Sequence, residues 1–409
     1  MAVTRFVDPF FIVGCGRSGT TLLRVMLDSH DDVAVPPESL FIPDYLRSDK
    51  PAPVLRQALL REYEIREWGL AASEADLADC DDGAALIARI HELYAHSKGK
   101  KRWGQKTPRL VRHGRLLKQH FPGARFIHVV RDPRAVANSL MRSNVHRSNA
   151  LYAARRWNND VAAGLELEPV LTVAYEALVT DPEPELKRIC EFLGLDYSPS
   201  MLSYTQKSVD YSAFYQDIHK KLADKPDPNR INAWCDKMDP RDIAVVESQL
   251  AVEIEPLGYE RLGLEGSRSY TTWLRLQRYF GFAGQIFYYL RKRRSYLSSF
   301  VGRKRRLGLL RDLLSTRFFL QKPEHEEQRV PGHPPDACGQ CEHERGRFRQ
   351  VRGGHDHEHH FAHADTCGNG NDEKPDGPGQ CKGPHEDGQR RLGKARDKQC
   401  VGQSDQHPG

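Results

Sequence analysis

The fold of this chain is decided by the segment FFIVGCGRSGTTLLRVMLDSH, which runs from residue 10 to residue 30. Its apolar start predicts a buried strand over residues 10–13, and the spacing of apolar residues from Gly19 to about Asp28 predicts a helix. A turn of small residues joins the two. Backbone N–H groups in such a turn, together with the positive end of the following helix, form an anion-binding site. The segment therefore predicts an α/β protein that holds phosphate or a related anion.

The turn offers several donors to an anion with many oxygens. Its glycines allow close approach of the backbone, its hydroxyls donate hydrogen bonds, and its arginine is a permanent forked cation. A loop that binds nucleoside triphosphates with Mg²⁺ reads G-x-x-x-x-G-K-[ST], but Thr20 stands where the lysine belongs. A turn that is small for steric reasons alone is the alternative. The candidate ligand-binding residues are Gly16, Arg17, Ser18, Gly19, Thr20 and Thr21.

Two further β-branched runs predict strands. RFIHVV at residues 125–130 ends at Arg131, and VLTVAYEALV at residues 170–179 leads into a turn at Asp181. Charged stretches between and beyond these runs predict helices, among them residues 54–70, 81–99, 184–193 and 239–259. Strands that alternate with helices indicate a parallel sheet flanked by helices, and such sheets bind ligands beyond the carboxyl ends of their strands. Both the glycine turn and Arg131 lie at such ends.

At this point the chain resembles a family. RSGTTLLRVMLDSH is similar to the 5′-phosphosulfate loop of sulfotransferases that use 3′-phosphoadenosine-5′-phosphosulfate (PAPS), nearest the branch of the tyrosylprotein sulfotransferases and related bacterial sulfotransferases. HVVRDPRAVANSLMRS supplies Arg131 and Ser139 at the spacing by which this family holds the 3′-phosphate. Tyr175 resembles the residue that contacts the adenosine, although a core tyrosine is the alternative. The resemblance covers about residues 10–259 and implies PAPS as co-substrate.

The resemblance also implies how transfer is carried out. Glu38 matches the catalytic glutamate of the tyrosylprotein branch, and a solvated turn carboxylate is the alternative reading. Lys106 matches the lysine that supports the leaving oxygen, and Arg17 shares that charge. His30 and His128 are lesser candidates for the base, because cytosolic sulfotransferases use a histidine there. We expect no metal requirement, since the leaving group is an already stabilised phosphate.

One contact of the tyrosylprotein branch departs from the pattern. A serine that contacts the sulfate in that branch is replaced by Asn232 when RINAWCDKM is aligned on Trp234. Arg230 stands near enough in sequence to reach the 3′-phosphate, but a surface arginine is the plainer interpretation. The third sulfate contact is therefore not assigned.

Charge divides the 409 residues into regions. The chain carries 61 basic and 55 acidic residues, yet residues 273–319 alone hold twelve basic residues and one acid, which leaves 49 and 54 elsewhere. That stretch mixes aromatic and leucine faces with basic clusters, a composition typical of a helix on anionic lipid, and helices that pack on the body are the equal alternative. We expect a sulfotransferase domain over 1–265, a basic amphipathic extension over 266–320 and a disordered tail over 321–409.

Cysteine usage and leader signals bear on localisation. The four cysteines of the body are scattered singly and no signal peptide opens the chain, so we expect a cytoplasmic protein, with peripheral attachment to the inner face of the membrane as an option. The tail carries CGQC at 338–341 and HDHEHHFAH at 355–363, which indicate adventitious metal binding at most. No motif of a nucleic-acid reader accompanies the basic stretch.

The sequence therefore predicts transfer of a sulfuryl group from PAPS to an acceptor hydroxyl of a sugar, a glycolipid, a phenol or a tyrosine. A Mg²⁺-dependent phosphoryl transferase is one alternative, and the missing loop lysine speaks against it. A membrane-surface binding protein with a vestigial nucleotide site is another. Acceptor identity and oligomeric state are not readable from the sequence, because acceptor pockets are built from variable loops.

Overall fold

A computed structural model describes residues 8–143, 148–206, 227–277 and 294–309 of the chain. Its centre is a five-stranded sheet with strand order β2-β3-β1-β4-β5, and all paired strands are parallel. The strands are β1 (Phe10–Gly14), β2 (Val33–Ala34), β3 (Arg102–Lys106), β4 (Arg125–Val130) and β5 (Val170–Ala174). The fold class predicted from the sequence, a parallel sheet flanked by helices, is confirmed.

Helices cover both faces of this sheet. Along β1, Phe11 and Val13 join one apolar cluster while Phe10 and Ile12 join another, as the alternation of side chains on a strand requires. The described helices are α1 (Thr20–Asp28), α2 (Ile42–Leu46), α3 (Ala52–Leu59), α4 (Tyr63–Glu67), α5 (Gly83–Ser97), α6 (Gly114–His120), α7 (Pro133–Met141), α8 (Ala150–Leu165), α9 (Tyr175–Thr180), α10 (Pro182–Leu193), α11 (Ala233–Lys237), α12 (Pro240–Ser248) and α13 (Arg294–Arg306).

The strand order fixes where a ligand binds. From β1 the chain passes to β2 and β3 on one side of the sheet, and it then returns to β4 and β5 on the other side. Open parallel sheets bind ligands in the crevice at such a reversal, outside the carboxyl ends of the strands. The loops after β1, β3 and β4 therefore meet at one place.

Some predicted boundaries are wrong. The third predicted strand stops at Ala174, because the helix-favouring residues that follow form α9. The helix predicted over 54–70 is divided into α3 and α4 by Glu62, whose backbone is extended. The helix predicted over 239–259 ends at Ser248, and only a short 3-10 turn follows at residues 255–257.

The C-terminal basic stretch contributes a buried ionic cluster. Arg303 of α13 lies 3.0 Å from Asp44, 2.9 Å from Glu62 and 3.2 Å from Glu64. Lys304 lies 2.7 Å from Asp44, and both basic side chains are buried. These two charges stabilise the contact of α13 with the region of α2 to α4 and do not face a lipid surface.

The other expectations for the extension and the tail fall largely outside the described residues. These include residues 278–293 and 310–319 of the basic stretch and all of 321–409. Among the described residues, none of the helices has the length and apolarity needed to cross a membrane. The predicted domain boundaries and the predicted membrane contact stay predictions.

Candidate active site

The glycine turn after β1 has the special backbone geometry expected of a ligand loop. Arg17 has φ +78°, and it is the one residue other than glycine with positive φ in the described ranges. Gly19 has φ +91°, and a Cβ there would lie 2.2 Å from the ring of Tyr175. Such strain persists only where surrounding contacts impose it, and it concentrates at functional sites. The loop backbone is thus packed directly against the predicted adenosine contact.

One group of predicted residues gathers around Arg131 at the end of β4. Its Nη1 donates to the carbonyl oxygen of Arg17 at 3.3 Å, and its guanidinium lies 4.2 Å from the ring centroid of Tyr175. Arg17 Nε in turn donates to Ser139 Oγ at 3.0 Å. The residues predicted for the 3′-phosphate and those predicted for the phosphosulfate are therefore in direct contact.

The second group gathers around Lys106, the last residue of β3. Its Nζ donates to Glu38 Oε1 at 2.7 Å and to Thr21 Oγ1 at 3.3 Å. The Lys106 side chain is 1% exposed, whereas that of Glu38 is 29% exposed. One ammonium group thus links the loop to a carboxylate that a second substrate can reach. The predicted catalytic residues and the predicted loop form one site.

Cations dominate this site. Burial lowers the pKa of Arg17, and the positive charges of Arg131 and Arg156 lower it further, while Glu38 acts in the opposite direction. Burial also lowers the pKa of Lys106, against the raising effect of its partner Glu38. Crowded, desolvated cations of this kind are stabilised when an anion enters between them. The electrostatics therefore favour a polyanionic ligand.

Two of the predicted ligand-binding residues carry a buried polar atom that has no hydrogen-bond partner in the described part of the chain. These atoms are the hydroxyl oxygen of Ser18 and Nε of Arg131. A buried donor without a partner costs free energy, so such atoms commonly mark a ligand position. Their location in the loop and at the end of β4 fits the two ends of a phosphorylated donor.

Sequence reasoning missed several supporting residues. Arg156 of α8 comes within 2.7 Å of the position that a Cβ on Gly16 would occupy. Trp157 Nε1 donates to the carbonyl oxygen of Arg131 at 2.9 Å, which fixes the end of β4. Glu176 accepts a hydrogen bond from the backbone N–H of Asp132 at 3.1 Å. No sequence motif marks these residues, because their roles depend on how α8 and α9 pack against the loop.

The structure does not bring the two candidate histidines to the site. His128 lies within β4, fully buried, and burial lowers its pKa to about 4. His30 lies beyond the far end of α1, where its Nε2 is 2.8 Å from the carbonyl oxygen of Asp196. His128 is enclosed within the sheet and the His30 ring contacts Asp196, so Glu38 remains the candidate base.

Arg230 and Asn232 are the two residues considered for the third sulfate contact. Arg230 pairs through its side chain with Asp227 at 3.3 Å, but its carbonyl oxygen accepts from Arg131 Nη2 at 3.1 Å. Asn232 is the residue before α11. The described residues contain no group of three or more His, Cys, Asp or Glu placed to hold a metal ion, and the metal requirement stays a prediction.

Comparisons with known proteins identify relatives of this chain. Residues 9–199 match the model of the family described as "Sulfotransferase family". The chain is 31% identical over 208 residues to protein-tyrosine sulfotransferase 2 of Gallus gallus, which covers 48% of this chain and 53% of that protein. It is 26% identical over 271 residues to protein-tyrosine sulfotransferase A of Caenorhabditis elegans, covering 62% and 68% respectively.

Among solved structures, the chain is similar to the sulfotransferase domain of the Synechococcus PCC 7002 olefin synthase. That likeness has 25% identity and a TM-score of 0.43, and it covers 63% of this chain and 97% of that one. The matched part of this chain spans about half to two thirds of the curated relatives described above. Residues 9–199 therefore match the sulfotransferase family, and the relatives named protein-tyrosine sulfotransferases support an enzyme of that class.

Proposed function

We propose that this enzyme transfers a sulfuryl group from PAPS to the hydroxyl of an acceptor. The observation that carries the proposal is the double contact of Lys106 Nζ, 2.7 Å from Glu38 Oε1 and 3.3 Å from Thr21 Oγ1. It puts a proton acceptor, a cation and the phosphosulfate loop within one hydrogen-bonded unit. Transfer between oxygens needs these three components and little other chemistry from the protein.

Glu38, Lys106 and Arg17 have separate roles in one in-line displacement at sulfur. Glu38 accepts the proton of the acceptor hydroxyl as the acceptor oxygen forms its bond to sulfur. The bond between sulfur and the oxygen of the 5′-phosphate breaks, and its electron pair leaves with that phosphate oxygen. Lys106 and Arg17 stabilise the negative charge that develops there, which is the largest contribution that a preorganised site makes.

The donor nucleotide is the finer part of the proposal. The buried, unpartnered Ser18 hydroxyl supports binding of the phosphosulfate in the loop. Arg131, stacked on Tyr175 and connected through Arg17 to Ser139, supports binding of the 3′-phosphate. Only an adenosine donor that is phosphorylated at both ends engages both groups, so we assign PAPS as the co-substrate.

The acceptor is proposed as a class. The partial exposure of Glu38 gives access to a hydroxyl of a sugar, a glycolipid, a phenol or a tyrosine. The curated relatives are named protein-tyrosine sulfotransferases, so we place the phenol of tyrosine first in an assay panel. Cytoplasmic localisation and membrane attachment remain predictions, and Arg303 and Lys304 are already engaged in buried ion pairs.

Radiolabel transfer tests the proposal. The enzyme is incubated with PAPS labelled at sulfur, or with ATP labelled at the γ-phosphate plus Mg²⁺, together with a panel of phenols, tyrosine peptides and sugars. We expect label to pass to an acceptor from PAPS only. Transfer from ATP in preference to PAPS would contradict the proposal and favour a phosphoryl transferase.

A further inference from the structure

We infer that Gln105 and Thr107 are positioning residues that hold the backbone on both sides of Glu38 and so set the place of its carboxylate. The inference rests on the proposed function and deepens it. Thr107 Oγ1 accepts a hydrogen bond from the backbone N–H of Ser39 at 2.8 Å. Gln105 Nε2 approaches the carbonyl oxygen of Pro37 at 3.4 Å. The residue before Glu38 and the residue after it are thus both bound to the end of β3.

The hydroxyl that binds Ser39 is itself held in place. Gln105 Nε2 donates to Thr107 Oγ1 at 2.8 Å, and Gln105 Oε1 lies 3.1 Å from Nε2 of His91. The ring of His91 packs on Trp103, with a distance of 4.6 Å between ring centroids. This chain of contacts runs from the core between α5 and β3 to the backbone beside the carboxylate.

Burial makes these contacts costly to lose. Gln105 and Ser39 are fully buried, and Thr107 is 1% exposed. A buried backbone N–H without a partner is strongly disfavoured, so the Thr107 hydroxyl dictates where Ser39 lies. The Glu38 side chain is the partly exposed member of the group. Its position is therefore imposed by buried neighbours, which hold the backbone of Pro37 and Ser39.

The order of residues at the end of β3 decides which part of the Glu38 region each of them holds. Lys106 stands between Gln105 and Thr107, and it binds the Glu38 carboxylate directly at 2.7 Å. The side chain of Glu38 is thus held by Lys106, while its flanking backbone is held by the residues on either side of that lysine. Three consecutive residues of one strand end place the base relative to the loop. A misplacement of about 1 Å at such a site costs on the order of a hundredfold in rate.

Substitutions at Thr107 test the inference. Thr107→Val keeps the shape and removes the hydroxyl, whereas Thr107→Ser keeps the hydroxyl, and Thr180→Val is the matched control at an exposed position. With PAPS and an accepted phenol, we expect kcat to fall at least about tenfold in Thr107→Val, while the Kd for 3′-phosphoadenosine 5′-phosphate stays within about twofold of wild type. Thr107→Ser should retain most of the wild-type kcat. A role confined to folding would lower donor affinity and kcat together.

A second readout does not depend on turnover. Amide hydrogen exchange of residues 38–42 should accelerate at least about tenfold in Thr107→Val and stay near the wild-type rate in Thr107→Ser, because the Ser39 N–H loses its acceptor only in the first variant. If the wild-type enzyme fails to transfer sulfuryl groups, the proposed function falls and the exchange result still decides whether Thr107 holds this backbone. Unchanged exchange in Thr107→Val would overturn the inference, as would a wild-type kcat or an equal loss in Thr107→Ser.

Discussion

At the scale of single residues, the site depends on one carboxylate that is held by a buried ammonium group. Glu38 is reachable from solvent while Lys106 is not, and the two share a 2.7 Å contact. A general base contributes on the order of 10²- to 10⁴-fold to rate. Because the donor loop is built from other residues, the chemical step and the binding of donor should respond separately to substitution of Glu38.

Replacement of Glu38 by glutamine tests this separation. Glu38→Gln keeps the size and the contact with Lys106 but cannot accept the proton, so kcat should fall about 10²- to 10⁴-fold. The Kd for 3′-phosphoadenosine 5′-phosphate, measured by calorimetry, should change little. Glu166→Gln, at an exposed position after α8, is the matched control and should behave as wild type. A kcat near that of wild type in Glu38→Gln would remove Glu38 as the base.

His128 makes stability depend on pH. Its pKa is lowered from the usual 6.5 to about 4 by burial, and both ring nitrogens lack a hydrogen-bond partner in the described ranges. The unfolded chain therefore binds a proton between pH 4 and 6.5 that the folded chain does not bind. The stability contribution is complete above pH 6.5 and is lost as the pH falls through this window.

Replacement by phenylalanine removes this titration and keeps a ring beside Gly164. Between pH 7 and pH 5, the wild-type free energy of unfolding should fall by about 2 kcal/mol more than that of His128→Phe. Urea titrations at the two pH values measure the difference. Equal pH dependence in both proteins would mean that His128 is not buried as a neutral ring.

At the scale of elements, the strand–turn–helix unit of β1 and α1 was readable from sequence because its function depends on local geometry. Glycines at Gly14 and Gly19 and an apolar run on each side are enough to predict it. Arg131 and Ser139 were recognised through the resemblance to the family, and that motif is short in sequence because both residues lie on one turn and one helix. The structure brings these predicted residues together, and their assignment to the donor remains the proposal.

Other parts of the site were not readable because they depend on which strands become neighbours. The sequence of β3, RWGQK, has too many polar residues to be predicted as a strand, although every one of its positions is buried. Without that strand beside β1, nothing in the sequence brings Thr107 to Ser39 or Lys106 to Thr21. Arg156 could not be predicted as a site residue, because its contact with the loop depends on the packing of α8. Long-range contacts of this kind have no signature in the local pattern.

Gly19 offers a prediction at this scale. Gly19→Ala places a methyl group in a left-handed backbone position and 2.2 Å from the Tyr175 ring, so the loop must move. The affinity for 3′-phosphoadenosine 5′-phosphate should fall at least about tenfold, since the proposed function has backbone groups of this loop bind the anion. Gly69→Ala is the matched control, because Gly69 also has positive φ but has open space around it. Equal affinities in both variants would show that the close approach at Gly19 is unimportant.

At the scale of the whole molecule, a helix far along the sequence belongs to the same folded body as the site. Arg303 of α13 is fully buried against carboxylates of α2, of the α3–α4 junction and of α4. Its partner Glu62 has a pKa raised to about 7, mainly by burial. The helical region of α2 to α4 follows Glu38 in the chain. This cluster therefore stabilises the helices that come directly after the proposed base.

Removal of Arg303 should therefore destabilise the protein. Arg303→Met leaves Asp44, Glu62 and Glu64 buried near one another with too little positive charge, at a cost of about 3–5 kcal/mol. Urea unfolding measures the loss. Arg305→Met, at an exposed position of the same helix, is the matched control and should cost less than about 0.5 kcal/mol. Equal stabilities would mean that α13 does not pack on the body in solution.

The central claim is that one donor binds through the glycine turn and through Arg131 with Ser139 at the same time. The most direct test is a calorimetric comparison of 3′-phosphoadenosine 5′-phosphate, AMP and ATP on the wild-type enzyme and on Arg131→Ala. The account predicts that wild type binds the bisphosphate at least about tenfold more tightly than AMP or ATP, and that Arg131→Ala loses this preference. Equal binding of the bisphosphate and AMP by the wild-type enzyme, or an unchanged preference in Arg131→Ala, would contradict it.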